Sequence, residues 1–391
     1  MEERKGLYKG LRAYAIFSMI LTTLLVIFVL LNAGSVARMA QVLFLIKTQA
    51  LQPVTASQLI DGSSAGLVSS LEDPYSTYLK PEVFESLNQN LQGTYGGVGL
   101  VITQEEDNRL VVVSAFKGTP AYRAGILSGD WIVRIDGQDT SKLTLEEAAN
   151  LMQGEPGTKV RLSIWREGEG SIRDYEIERE IINVPSVEGQ MLDHDSGIAY
   201  ISITQFAKQT GVDFKKTLQE LEAEGMKGIV LDLRNNGGGL LGTALEVASH
   251  IVPKGPIVHI VDKNRTQTYE APGGNLNIPL AVLINKGSAS ASEIVSGAIK
   301  DTKVGVLVGE TTFGKGLVQT VFPLNGGAAV KLTTAKYLTP NKKDINVTGI
   351  EPNVKVEVPA ELRQEIMLTS PNVEKDPQLQ KAIEILQQQI Q

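Results

Sequence analysis

Between Gly93 and Glu180 apolar and polar residues alternate in short runs, "GVGLVITQ", "LVVVSAF", "GDWIVRIDG", "KVRLSIWREG" and "RDYEIERE", separated by turn residues. Period-two alternation of this length predicts half-buried strands, so the stretch reads as a small β-rich module. One helix is predicted inside it, "LTLEEAANLMQG", with Leu143, Leu145, Ala148 and Met152 facing a core and Gly154 ending it. From Gly197 the texture changes to "GIAYISI", "VDFKKTLQELEAEG", "KGIVLDL", "LLGTALEVASHIV", "PIVHIV", "PLAVLIN", "SASEIVSGAIKD" and "KVGVLVG". Repeated strand–helix–strand order predicts an α/β layer on a largely parallel sheet, with its site beyond the carboxyl ends of the strands. Upstream, residues 36–92 carry helical spacing, with Leu59, Ile60, Leu67 and Leu71 on one stripe before "EDPYSTYL" breaks it at Pro74. The end of the chain, 361–391, reads as a polar tail closing in an amphipathic helix. Its Ile383, Ile385, Leu386 and Ile390 offer a face either for homodimerisation or for folding back on the chain's own domain.

At the other terminus Arg4, Lys5, Lys9 and Arg12 precede the uncharged run Ala13–Leu31. As a helix it is long enough to span roughly 30 Å of hydrocarbon, and the basic flank assigns its start to the cytoplasm. Two outcomes fit: a single-pass membrane anchor, or a signal peptide cleaved at Ser35-Val36-Ala37. Both export the remainder, to a periplasmic or extracellular location. The 391 residues suffice for two or three domains, and a net charge of -7 without a long basic block argues against a nucleic-acid partner. Cysteine is absent, which excludes disulfides, thiol catalysis and cysteine-based zinc sites. No H-E-x-x-H spacing or His–carboxylate cluster appears, and no metal or cofactor is expected.

"GETTFGKG", Gly309–Gly316, resembles a phosphate loop but puts Gly316 where a Ser or Thr must hold magnesium, so Lys315 serves another purpose. "GSSAG", Gly62–Gly66, matches the G-x-S-x-G nucleophile elbow in letters, yet Ser64 follows a helix-like segment where that elbow needs a strand. A better nucleophile is Ser290 in "AVLINKGSASASEIVSGAIKD". There a strand runs through a small-residue turn into a helix whose free amides offer positive charge to an oxyanion. The alternative is structural, because Ser290 and Glu293 also form an S-x-x-E capping box. His194, His250 and His259 are the only histidines, and none stands beside a small-residue turn. Lys315, one strand further on, becomes the candidate base once burial lowers its pKa toward about 7–8. "LDLRNNGGGLL" supplies backbone amides that approach a substrate without side-chain obstruction.

Taken together, "EDPYSTY" (Glu72–Tyr78), "YGGVGL" (Tyr95–Leu100), "GTPAYRAGILSGDWIVRIDG" (Gly118–Gly137), "LDLRNNGGG" (Leu231–Gly239), "GSASASE" (Gly287–Glu293) and "VGETTFGKGLVQ" (Val308–Gln319) resemble the carboxyl-terminal processing proteases. These are secreted or membrane-anchored serine peptidases with a Ser–Lys site, and the likeness covers roughly residues 55–360. It implies a ClpP/crotonase-like α/β catalytic domain over 182–360 with a mainly-β PDZ domain inserted over 93–181. A transmembrane helix or signal peptide (13–31), a helical segment (36–92) and a helical tail (361–391) complete the expected organisation. The resemblance carries the nucleophile to Ser290, the base to Lys315, the lysine-orienting role to Gln319 and a supporting role to Asp301, whose alternative is a helix-end acid. Oxyanion donors would be the amides of Ala291 and Gly238, in a loop where Gly237 replaces the proline of many members. Gly97, Val98, Gly99 and Leu100 would capture a terminal carboxylate as the substrate adds a strand beside them. The implied partners are proteins or peptides with free C-termini, and an activating protein. A membrane-anchored peptide-binding scaffold without catalysis is the alternative that the intact Ser290, Lys315 and Gln319 oppose.

Overall fold

The computed structural model describes residues 14–390 apart from 21, 25, 28–30, 106, 107, 275, 360, 364, 365 and 367–370. The chain divides into two units, 1–72 and 73–391. In the first, α1 (Ala33–Gln49) is followed by α2 (Ala56–Ser69), which Thr55 and Gln58 start with a reciprocal capping box. Ile60, Leu67 and Leu71 of the predicted stripe are exposed in this unit, and Val68 is the buried residue of α2. Ser64 lies in mid-helix with no strand before it, so it lacks the setting of a nucleophile elbow. Residues 13, 21, 25 and 28–30 of the predicted membrane span fall outside the described residues. Among those described, no helix is long and apolar enough to cross a membrane.

The second unit begins with β1 (Thr77–Leu79) and α3 (Pro81–Gln92), which starts on proline and ends at Gly93 with φ 70°. Then β2 (Thr94–Gly97) leads into the β-rich module: β3 (Leu100–Gln104), β4 (Leu110–Ala115), α4 (Pro120–Arg123), β5 (Trp131–Ile135), β6 (Gln138–Asp139), α5 (Leu145–Met152), β7 (Lys159–Trp165) and β8 (Ile172–Glu178). Its antiparallel sheet runs β3-β4-β5-β7-β8, which leaves β3 at an edge. Val98, Leu110, Ile126, Ile132 and Leu162 fill its core. The predicted helix is shorter than its apolar pattern, because the Thr144 hydroxyl accepts the Glu147 N–H and starts it at Leu145. Leu145 consequently faces outward, while Ala148 and Met152 are buried. On leaving the module the chain forms β9 (Glu180–Asn183), which pairs with β2 in a two-stranded ribbon. Chain entry and exit thus lie side by side, as an insertion requires.

The remaining elements are β10 (Val187–Asp193), β11 (Ile198–Ile203), α6 (Thr210–Ala223), β12 (Gly228–Asp232), α7 (Leu241–Ile251), β13 (Gly255–Asp262), β14 (Thr266–Ala271), β15 (Leu280–Ile284), α8 (Ala291–Thr302), β16 (Val306–Gly309), β17 (Leu317–Pro323), β18 (Ala329–Leu338), β19 (Val354–Lys355) and α9 (Pro377–Ile390). The main sheet runs β10-β11-β12-β15-β16-β19 and is parallel except for β10. Every residue of β12 and β15 is buried, since helices cover both faces of such a sheet. Phe214, Val247 and Val295, from α6, α7 and α8, pack on one face with Ile201 and Leu231. On the other face Leu379, Ala382 and Leu386 of α9 meet Tyr200, Val230 and Leu283, joined by the half-buried Ile383, Ile385 and Ile390. The apolar face of the C-terminal helix is therefore spent within its own domain instead of being left for a second copy. "PIVHIV" also departs from expectation: as β13 it pairs with β14 and β18 in a second, antiparallel sheet with β1 and β17. Its hairpin partner β14 follows immediately in the chain, after a turn of three residues.

Candidate active site

Buried β15 ends in the turn Asn285–Ala289, which is laced to the glycine loop after β12. The Ser288 hydroxyl donates to Leu233 O at 2.7 Å, Ala289 N–H to Asn236 O at 3.0 Å, and the Ser292 hydroxyl to Asn236 O at 2.8 Å. Asn285 and Asn235 exchange side-chain and backbone bonds at 2.9 Å. The lacing brings the two segments so close that a Cβ on Gly238 would stand 2.9 Å from Ser290 Cβ, which is why only glycine fits there. Ser290 then enters α8 with φ 54° and ψ -111°, a region that L-residues occupy at a cost and that clusters at active sites.

Strand β16 delivers the lysine loop alongside. One buried carboxylate, that of Glu293, joins the two segments: it accepts N–H bonds from Ser290 (2.9 Å), Gly314 (2.8 Å) and Lys315 (2.9 Å), and the Thr312 hydroxyl at 2.6 Å. Glu293 is 0% exposed, and Ser290 and Lys315 share its Oε2. Tyr337 adds a bond from its hydroxyl to Ser290 O at 3.1 Å, and its own pKa is pushed up by burial and by Glu293. Glu293 is visible in sequence only as the cap of α8; its hold on the lysine loop depends on where β16 ends.

Lys315 Nζ lies over the Tyr75 ring, 5.1 Å from the centroid. Burial lowers its pKa below the ordinary 10.5, the nearby Lys331 charge lowers it further, and Glu293 opposes both. Tyr75 is held there by the "EDPYS" turn, in which Asp73 accepts from Tyr75 N–H and Ser76 Oγ accepts from Thr333 N–H at 3.0 Å. Gln319 sits opposite Thr333 on β17 and β18, and its buried Nε2 has no hydrogen-bond partner, Lys315 included. Asp301 lies at the far end of the twelve-residue α8, about 16 Å along the axis from Ser290, where its Oδ2 accepts Asn341 N–H at 2.8 Å. Ala291 opens α8, so its N–H has no intrahelical acceptor. Gly238 differs: its N–H donates to Asn236 Oδ1 at 2.9 Å and is already engaged. His259 has Thr268 and Pro340 against its two ring nitrogens.

In the module, Gly97 belongs to the ribbon opposite Glu180, while Val98 is buried and its carbonyl accepts Ala121 N–H at 2.9 Å. Gly99 has φ 82°, and a Cβ there would strike Thr119 at 2.4 Å. Leu100 then opens the unpaired edge of β3.

Family models match along the chain: "Activating protease CtpB N-terminal domain" over 30–83, "PDZ domain" over 111–166 and "Peptidase family S41" over 197–356. The carboxy-terminal processing protease CtpA of Bacillus subtilis (strain 168) is 38% identical over 317 residues, 80% of this chain and 67% of that protein. A carboxyl-terminal-processing protease of Synechocystis sp. is 39% identical over 325 residues, 82% of this chain and 75% of its own. A putative S41 protease from Bacteroides fragilis NCTC 9343 shares the fold, with a TM-score of 0.56 at 18% identity over 86% of this chain and 92% of that one.

Proposed function

Since the chain belongs to peptidase family S41 and is a carboxyl-terminal processing serine peptidase with a PDZ domain, we propose that Ser290 is its nucleophile and Lys315 its general base. Neutral Lys315 removes the Ser290 proton as Oγ attacks the scissile carbonyl, and returns it to the leaving amine as the C–N bond breaks. Water, deprotonated by the same lysine, then hydrolyses the ester. The observation that supports this reading is the Glu293 carboxylate, which binds the backbone N–H groups of Ser290 and Lys315 through one oxygen and so holds the two residues' backbones together. Ala291 N–H is the oxyanion donor that stands free; Gly238 N–H becomes the second once Asn236 yields it. Gln319 supports the lysine from β17 when its unpartnered Nε2 finds an acceptor in the substrate-bound site.

We further propose that the substrate's C-terminus lies along the free edge of β3 with its carboxylate at Val98–Leu100. The basic flank and uncharged run at the N-terminus support a membrane anchor with the catalytic part outside the cytoplasm. The test compares the full chain with Ser290→Ala, Lys315→Ala and Lys315→Arg on an unfolded protein bearing a free apolar C-terminus. All three variants are expected to keep the fold by circular dichroism and to lose cleavage by at least about 10³-fold. Because guanidinium does not give up its proton near neutral pH, retained activity in Lys315→Arg removes the base assignment.

A further inference from the structure

Val347 has φ 68°, a left-handed conformation in which a side chain branched at Cβ is a true outlier. It is also 85% exposed, so no core packing repays the strain. Glycine or asparagine would take this backbone at little cost. What holds the loop is the lysine segment: Val347 N–H donates to Gly314 O at 2.8 Å, and Asn346 Oδ1 accepts Gly316 N–H at 3.3 Å. Ile345 and Ile350, both buried, pin the loop from beneath. On the other side of Gly314 is Phe313, 55% exposed although its N–H is fixed to Ser288 O at 3.0 Å in the nucleophile turn. Two large apolar side chains are thus left in water on backbone tied directly to the residues flanking Ser290 and Lys315.

We propose that Phe313 and Val347 form an apolar lip of the cleft that receives an aliphatic side chain of the substrate beside the scissile bond, making them specificity-determining residues. This rests on the assignment of Ser290 and Lys315 as the reacting pair. A valine held in a conformation that penalises it, in solvent and hydrogen-bonded to the residue before the proposed base, is what a contact with substrate would favour. A peptide side chain is the occupant because Phe313 and Val347 are hydrogen-bonded through their backbones to the two segments that carry the proposed nucleophile and base, between which the peptide being cut must lie.

The test uses the full chain with two free-carboxylate peptides that differ only in leucine or alanine next to the cleavage site, together with Val347→Asn and Phe313→Ala. Val347→Asn is expected to melt at or above the wild-type temperature, because its backbone is relieved. Both variants should lower kcat/KM for the leucine peptide about tenfold while changing the alanine peptide little. An unchanged leucine-to-alanine ratio, or equal losses on both peptides, overturns the lip. A wild-type chain that cuts neither peptide instead removes the Ser290–Lys315 reading and the lip with it.

Discussion

Lys315 shows what a single residue needs from its surroundings. Burial and then Lys331 favour its neutral form, against Glu293. The sign follows: the amine loses its proton below 10.5, so cleavage should rise as pH rises through the lowered value. Stability runs the same way, because between the folded and unfolded values the unfolded chain binds the extra proton, and folding gains as pH rises through that window. Lys331→Ala should move the acid limb of the kcat/KM profile to higher pH without lowering the plateau, and Lys331→Arg should leave it in place. An unmoved limb in Lys331→Ala would refute electrostatic tuning by Lys331. Ser290 and Lys315 stand out in the sequence as candidates because each follows a strand end among small residues. Tyr75 over the lysine was not legible there, since that contact joins segments distant in sequence; Asn236 on the Gly238 amide was not, since a side-chain turn two residues long depends on the backbone geometry of its loop.

Between elements, Glu293 couples the first turn of α8 to the loop after β16. Glu293→Gln exchanges one acceptor oxygen for an N–H donor that must face another donor in a buried site, costing about 2 kcal/mol. We expect a melting temperature lower by several degrees and a kcat at least about tenfold lower, with KM little changed; steady-state kinetics and a thermal melt check both. Strand and helix identities were legible from period and capping, down to the S-x-x-E spacing itself. Sheet membership was not, as β13 demonstrates. An apolar strand fits either layer, and its tertiary context decides between them.

Across the whole molecule the β2–β9 ribbon joins the PDZ module to the peptidase domain, while edge strand β3 is left open for a peptide. If the proposed capture at Val98–Leu100 holds, it requires a negative terminus, so amidating the substrate's C-terminus should raise KM about five- to tenfold for the wild-type chain, as initial rates would register. An unchanged KM would separate peptide capture from the carboxylate loop. Sequence by itself determined the succession of helical segment, β module and α/β domain, because hydrophobic period and turn chemistry are local. It also determined which Ser and which Lys carry the motifs. Only the tertiary structure decided that α9 folds back on its own sheet, that Asp301 accepts the N–H of the distant Asn341, and that Glu293 binds the backbones of Ser290 and Lys315 together. Each of those outcomes depends on which surfaces and hydrogen-bonding groups the packed chain brings within about 3 Å of one another, and no local pattern encodes that distance.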